Sequence, residues 1–596
     1  MARLLPTYDF LVSNSSMAIH LSVPLLLLTF TVGCNAQVSQ QTGSGKPDPQ
    51  LIATIQKAQS LLGVQKFTEA EKVLRPATVK YANRPGPWYL LGYALHAQKK
   101  YDEALTMYEK SKSYPQTRTN SLYNIACIHS LQNNSDEAFL ALDAAIKSGF
   151  KNFGQLQGDA DFDNVKNDPR FKKLIPKWLP DDKIFVEPTR IIQKWSGEFA
   201  NDEFGWTARR IGDLDADGKT DLITTAPSHK SGAGKIYVYS SASGKLLHSV
   251  VGKPGQRLGN SAVGIGDVNG DGTPDFIGGA PNTAGKGAAI VYSGKNAEVL
   301  HSLQGETAGG KFGYEVSETG DIDGDDVPDF FVGEMSGNGS KQNCGRGIVY
   351  SGKTAKKIFE LSGERTGDGF GNAAAVAKIG KGEFLLAIGA QNAGPSQRGR
   401  VYVYHVKESQ PKLRFTIEGD SNSVNLGQMF IAFPGDIDRD GIPDVYASDF
   451  SDNTKARGGG KVVVHSGADG KELIAIHGSV AGEGLGTSPS DAGDVDGDGI
   501  GDLVIGAWQN NEAAASGGKI YLYSLADGGK LLRTWTCKQS GDTLGFDACG
   551  IGDVDGDGHI DFLLTSAWSN VKGPKTGRVF IVAGGDPVGN VATTHN

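Results

Sequence analysis

The stretch IGDVDGDGHIDFLLTSAW, residues 551–568, decides the fold. It sets aspartates at 553, 555, 557 and 561 directly before an apolar run. Asp553, Asp555 and Asp557 alternate, so their carboxylates converge if the chain curls. Gly556 and Gly558 permit that curl, because glycine reaches left-handed backbone angles cheaply. The main-chain carbonyl of His559 falls at position seven, and Asp561 closes the set at position nine. An all-oxygen, carboxylate-rich shell suits Ca²⁺ rather than zinc, which prefers sulfur and nitrogen. The run FLLTS that follows reads as a strand.

The same loop occurs six times. DLDADGKTD carries Asp213, Asp215, Asp217 and Asp221, and DVNGDGTPD carries Asp267, Asn269, Asp271 and Asp275. DIDGDDVPD carries Asp321, Asp323, Asp325 and Asp329, and DIDRDGIPD carries Asp436, Asp438, Asp440 and Asp444. DVDGDGIGD carries Asp494, Asp496, Asp498 and Asp502. The carbonyls at position seven belong to Lys219, Thr273, Val327, Ile442, Ile500 and His559. The start D-x-D-x-D-G resembles an EF-hand loop, but that loop runs on to a glutamate at position 12 between helices. In the third copy Asp326 replaces the glycine at position six. Isolated Asp-Gly turns are common between strands, yet six copies with one spacing point to metal, about six Ca²⁺ per chain.

The copies begin at 213, 267, 321, 436, 494 and 553, so one long step implies a further unit near 378. FGNAAAVAKIGKGEFLLAIGA, residues 370–390, has the flanks without the acids; Lys378 and Lys381 stand where a metal would sit. Each unit opens with Phe-Gly or Leu-Gly (204, 258, 312, 370, 426, 485 and 544) and reads as four short strands. Seven units of four strands predict an all-β, seven-bladed propeller over 189–588. The last unit stops after GRVFIVAGG, while TRIIQKWSGE at 189–198 looks like a fourth strand without a blade. The second should complete the first, latching the ring and removing sheet edges.

The Phe-Gly openings, GGAPN at 278–282 and the nine-residue loops resemble FG-GAP repeats, which form the propeller of integrin α subunits and of many bacterial surface proteins. The resemblance implies Ca²⁺ between strands one and two on one face of the disc, and partner binding by loops on the other. Trp508 and Trp568 follow strand two in neighbouring units and so fall on that other face, either stacking on a ligand or packing the blade.

Residues 50–178 switch to helical spacing with few glycines. Ala70, Ala104 and Ala138 are 34 apart, as are Ala58, Gly92 and Ala126. The pattern resembles tetratricopeptide repeats, best in the copy with Trp88, Leu91, Gly92, Ala104 and Tyr108. Such arrays bind peptides or proteins on a concave side, and the pattern has Tyr89, Tyr93, His96 and Tyr123 either lining that groove or packing between helices. Residues 1–36 read as an export signal: AIHLSVPLLLLTFTVGCNAQ holds a lipoprotein-like box ending at Cys34, with cleavage after Ala36 as the competing reading and Met17 as a second candidate start. Residues 37–49 and 179–188 read as linkers and 589–596 as a tail.

The formal charge is −8, but the six loops place 23 aspartates at positions one, three, five and nine. Six bound Ca²⁺ would supply twelve positive charges and leave about +4. The acidity therefore belongs to the loops, and no basic-aromatic stripe suggests nucleic acid. Cys127, Cys344, Cys537 and Cys549 lack metal spacing and read as buried thiols. GIVYSGKT at 347–354 matches a phosphate-loop pattern, but Ile348–Tyr350 are the strand itself and AAIVYSGKNAE repeats it as a hairpin, so it is rejected. No nucleophile or zinc-protease motif occurs. These features predict an exported, calcium-binding, non-catalytic interaction or adhesion protein for protein or glycan partners. The membrane is reached only through a lipid at Cys34. The alternative is a polysaccharide-acting enzyme or accessory subunit of the cell envelope.

Overall fold

The computed structural model describes residues 48–63, 65–150, 156, 159–174, 179–526 and 528–585. The chain divides into two compact units, Met1–Phe150 with Gln155–Leu174, and Lys151–Gly154 with Ile175–Asn596. The export signal, Cys34, Met17, residues 37–47 and the tail lie outside the described residues.

The first unit is a run of antiparallel helices: α1 (Pro49–Gly63), α2 (Phe67–Lys80), α3 (Pro85–Ala97), α4 (Tyr101–Lys112), α5 (Pro115–Leu131) and α6 (Ser135–Lys147). Pro85 and Pro115 begin α3 and α5, where the missing N–H costs nothing. Each helix packs on the next. A methyl group on Gly92 would stand 2.9 Å from the Tyr108 ring, which explains the small residue where α3 meets α4. Beyond α6, a 3-10 turn at Ala160–Phe162 packs against α5, and a short helix at Pro169–Leu174 follows.

The second unit consists of seven four-stranded antiparallel sheets. In the first six blades the strands lie in sequence order. The seventh pairs Ala548–Gly552, Asp561–Ser566 and Arg578–Val582 with Ile191–Ser196. The early strand thus supplies the outer edge of the last blade, with Ser196 opposite Arg578 and Lys194 opposite Phe580. The first strand of each blade touches the first strand of the next, and that of blade seven touches that of blade one, so these strands ring the centre. Second strands such as Asp221–Ala226, Asp502–Ala507 and Asp561–Ser566 are buried along their whole length, since a neighbouring sheet covers each face. The core lies between the blades. Each pair of neighbouring sheets shares its own apolar cluster, from Ile236, Leu258 and Phe276 between blades one and two to Phe204, Leu563 and Val579 between seven and one.

Residues 179–188, expected as a linker, pack as part of the propeller. Ile184 and Phe185 are buried with Trp535 and Phe580. Phe185 bridges Cys537, and the Val186 amide donates to the Thr536 carbonyl at 2.9 Å. Glu187 accepts from Thr534 Oγ1 at 2.7 Å and from the Thr536 amide at 2.6 Å. The chain therefore borders blade six before crossing to close blade seven. Phe and Ile cover an apolar edge that composition alone does not reveal.

Candidate functional site

Each acidic loop joins strand one to strand two of its blade, and all six close in one way. The position-one carboxylate accepts amide N–H groups from positions five and six: Asp213 from Asp217 (3.1 Å) and Gly218 (2.8 Å), Asp553 from Asp557 and Gly558 (both 3.1 Å). The position-five carboxylate accepts the amide of position seven: Lys219 donates to Asp217, Thr273 to Asp271, Val327 to Asp325, Ile442 to Asp440, Ile500 to Asp498 and His559 to Asp557. These bonds require left-handed backbone at positions four and six. Gly218, Gly272, Gly441, Gly499 and Gly558 supply it at position six, and Asp326 adopts φ +64° there and donates to Asp321 at 2.9 Å. The third loop thus closes like the others, because a short polar side chain tolerates this region.

Position nine opens strand two and is fully buried: Asp221, Asp275, Asp329, Asp444, Asp502 and Asp561 are all 0% exposed. Asp561 accepts from the Val554 amide at 2.8 Å and the Gly584 amide at 3.0 Å, so it pins its loop to strand three. Asp502 Oδ1 is buried without a partner. Burial, and behind it the neighbouring carboxylates, pushes Asp221, Asp329, Asp444 and Asp502 up to about 6 and raises Asp275 and Asp561. Three carboxylates converge, with ligand atoms within 4.8 Å of one another, in the sets Asp213, Asp215 and Asp221; Asp321, Asp323 and Asp325; Asp436, Asp438 and Asp444; and Asp494, Asp496 and Asp502. The donors are all oxygens and one is orphaned, which fits a hard cation. Blade four has no such cluster: its first two strands meet in a tight hairpin at Lys381–Gly382.

Sequence reading missed Arg190. Its guanidinium lies 2.5 Å from Asp555 and 2.9 Å from Asp557, holding two carboxylates of the seventh loop. No local signal marks it, since the contact spans the whole propeller.

Trp508 and Trp568 lie beyond the far ends of their second strands, opposite the acidic loops. Both are half-buried. Their rings meet edge to face at 4.8 Å, and Phe546 packs on both, at 5.9 and 5.7 Å. Trp206 extends the cluster at 4.9 Å from Phe546, and Lys575 Nζ sits 4.4 Å over Trp568. The two tryptophans are thus joined in one aromatic rim that also packs the blades. Beside it runs a central channel of about 380 Å³. Arg209 is paired with Asp547 in its wall, and Arg210 with Asp491 at 2.9 Å. Glu315 also lines it, pushed up to about 8 by burial. Charged residues inside a first strand, as in ARRIG and YEVSE, are the signal that could have indicated this channel.

On the helical face the two open readings divide by residue. Tyr89 and Tyr123 are buried, at 3% and 1% exposure, and are not open groove residues. The chain's own turn lies over Tyr123: Phe162 packs edge-on at 5.5 Å, Phe150 stacks at 4.5 Å, and the Tyr123 hydroxyl donates to Asp159 at 2.8 Å. Tyr93 and His96 keep partial exposure, and burial drives the His96 imidazole down to about 4. The four cysteines among the described residues are free and buried, and Cys537 and Cys549 do not pair. Among those residues no helix is long and apolar enough to cross a membrane.

The FG-GAP-like repeat model matches residues 213–278, and the tetratricopeptide repeat model matches 86–117, which is the α3–α4 pair. Chicken (Gallus gallus) integrin alpha-V is 29% identical over 210 residues, 32% of this chain and 20% of that protein. Mouse (Mus musculus) integrin alpha-7 is 35% identical over 163 residues, 25% of this chain and 14% of that protein. Human integrin alpha-8 is 32% identical over 165 residues, 24% of this chain and 15% of that protein. The chain thus spans about a fifth or less of the length of these relatives. Blade count, loop spacing and both family models agree: this is a seven-bladed propeller preceded by helices, with an FG-GAP-like repeat match in its first blades, a tetratricopeptide repeat match in the helical unit, and sequence similarity to integrin alpha chains.

Proposed function

We propose that the protein is an exported, calcium-binding and non-catalytic interaction protein that presents one face of its propeller to a protein or glycan partner. The observation that carries this reading is the sixfold loop, in which amides orient the first acid and the ninth is a fully buried carboxylate. Calcium would link first strand to second in the six blades that carry an acidic loop and stiffen the disc, leaving the opposite rim as the recognition surface. Trp206, Trp508 and Trp568 offer ring faces there, and aromatic side chains dominate interface energetics. The integrin-like sequence of the propeller supports an adhesive role. The burial of Tyr89 and Tyr123 moves expected recognition away from the helical face. The test is a glycan array and a pull-down with calcium-loaded protein, comparing wild type with Trp508→Ala. A ligand bound by wild type and weakened at least about tenfold in the variant supports the rim. Turnover of a polysaccharide by the purified chain overturns the non-catalytic reading.

A further inference from the structure

Four potential metal ligands of a different kind meet inside the helical unit. His96 stands near the end of α3, and Cys127 lies on α5. Asp159 caps the 3-10 turn Ala160–Phe162 and accepts the Asp161 amide at 3.0 Å. This local bond sets both carboxylates side by side against the helices. Cys127 Sγ lies 3.9 Å from Asp159 Oδ2, and His96 Nε2 lies 3.5 Å from Asp161 Oδ2. The ligand atoms of Cys127, Asp159 and Asp161 all fall within 4.8 Å of one another. Ligands held 2.0–2.3 Å from a tetrahedral ion stand about 3.3–3.8 Å apart, so these three approach that spacing, and His96 reaches the group through Asp161.

Asp159 is buried and Asp161 partly buried, and among the described residues the basic groups facing them are His96 and Lys166. Asp159 is 7% exposed and Cys127 1%. The nearby Lys166 ammonium is held at 2.6 Å by Asp163. A second observation is independent of the acids. The Tyr108 hydroxyl is fully buried and has no hydrogen-bond partner, and it lies within electrostatic reach of Cys127 and Asp161. The Tyr123 hydroxyl already orients Asp159, as outer partners do for metal ligands.

We propose that His96, Cys127, Asp159 and Asp161 form a tetrahedral site for a zinc-class divalent ion, which fastens the 159–162 turn across α3 and α5. One sulfur, one nitrogen and two oxygens suit zinc and exclude calcium, which takes six to eight oxygens. The site is chemically separate from the propeller loops and does not rest on the calcium reading. Its bound state would hold Tyr123 covered, and metal loss would loosen that cover.

The test uses the full chain, stripped of metal and titrated with Co²⁺ in the presence of excess Ca²⁺. One Co²⁺ per chain should bind with tetrahedral d–d bands and a sulfur-to-cobalt charge-transfer band, and Zn²⁺ should displace it. Cys127→Ser should abolish the charge-transfer band, whereas Cys537→Ser should keep it. His96→Ala should weaken Co²⁺ at least about tenfold while circular dichroism stays unchanged; it covers the case in which Cys127→Ser does not fold. Absence of a charge-transfer band in folded wild type, its persistence in Cys127→Ser, or unchanged affinity in His96→Ala overturns the proposal.

Discussion

Arg190 shows how one residue can hold a site that its own neighbourhood does not announce. It neutralises Asp555 and Asp557 from a strand more than 350 positions away in sequence. We expect Arg190→Gln to raise the calcium affinity of the seventh loop, because two carboxylates are released to the ion. In chelator the same change should cost no more than about 1 kcal/mol, as the pair is partly exposed. Calorimetry and chemical denaturation read the two effects, and weaker calcium binding in the variant would contradict this. At position nine, Asp561→Ala leaves the buried Val554 amide and the part-buried Gly584 amide without their acceptor. It should cost about 2–4 kcal/mol even without metal, against under about 0.5 for Lys381→Ala on the blade-four turn. Glu315 carries the pH prediction. Its carboxyl is raised to about 8 by burial, above its unfolded value. The folded state therefore keeps the proton longer, and stability is full below the unfolded value and falls as pH rises toward 8. Glu315→Gln should melt higher than wild type at pH 9 and equally near pH 4. The nine-residue loops were legible because every ligand, turn and amide lies within a few residues. Arg190 and Glu315 were not, because only ring closure makes them neighbours of their sites.

At the scale of the element, periodicity carried the blades, including the acid-free fourth, and unequal ends carried the latch. What it could not carry was where flanking segments come to rest. Ile184 and Phe185 look like any short apolar pair, yet the outer strand of blade six gives them an edge to cover. Tyr89 and Tyr123 follow the repeat pattern, but a turn encoded after the repeats buries Tyr123. The seam between blades one and seven depends on a close backbone approach. Gly577 has φ +80°, and a methyl group there would lie 2.0 Å from the Phe204 carbonyl oxygen. We expect Gly577→Ala to destabilise the propeller by about 3 kcal/mol or more, since backbone must move on both sides. Thermal denaturation checks this, and a melting point within a degree or two of wild type would show that the seam is looser than described.

For the whole molecule, stability is spread over seven inter-blade clusters closed into a circle by Ile191–Ser196. Six loops on one face put buried acids at the start of six second strands, so metal and ring should be coupled. One site at a free calcium about 100-fold above its dissociation constant adds ~2.7 kcal/mol. Six sites in one ring should exceed that severalfold without being additive. Magnesium should rescue poorly, because it demands a tighter octahedral shell. The most direct measurement is calorimetric titration of chelator-stripped protein with Ca²⁺, paired with melting in calcium and in chelator. About six ions should bind per chain, and the melting temperature should be sharply lower in chelator. A count near zero with unchanged melting would show that the aspartates are only turns.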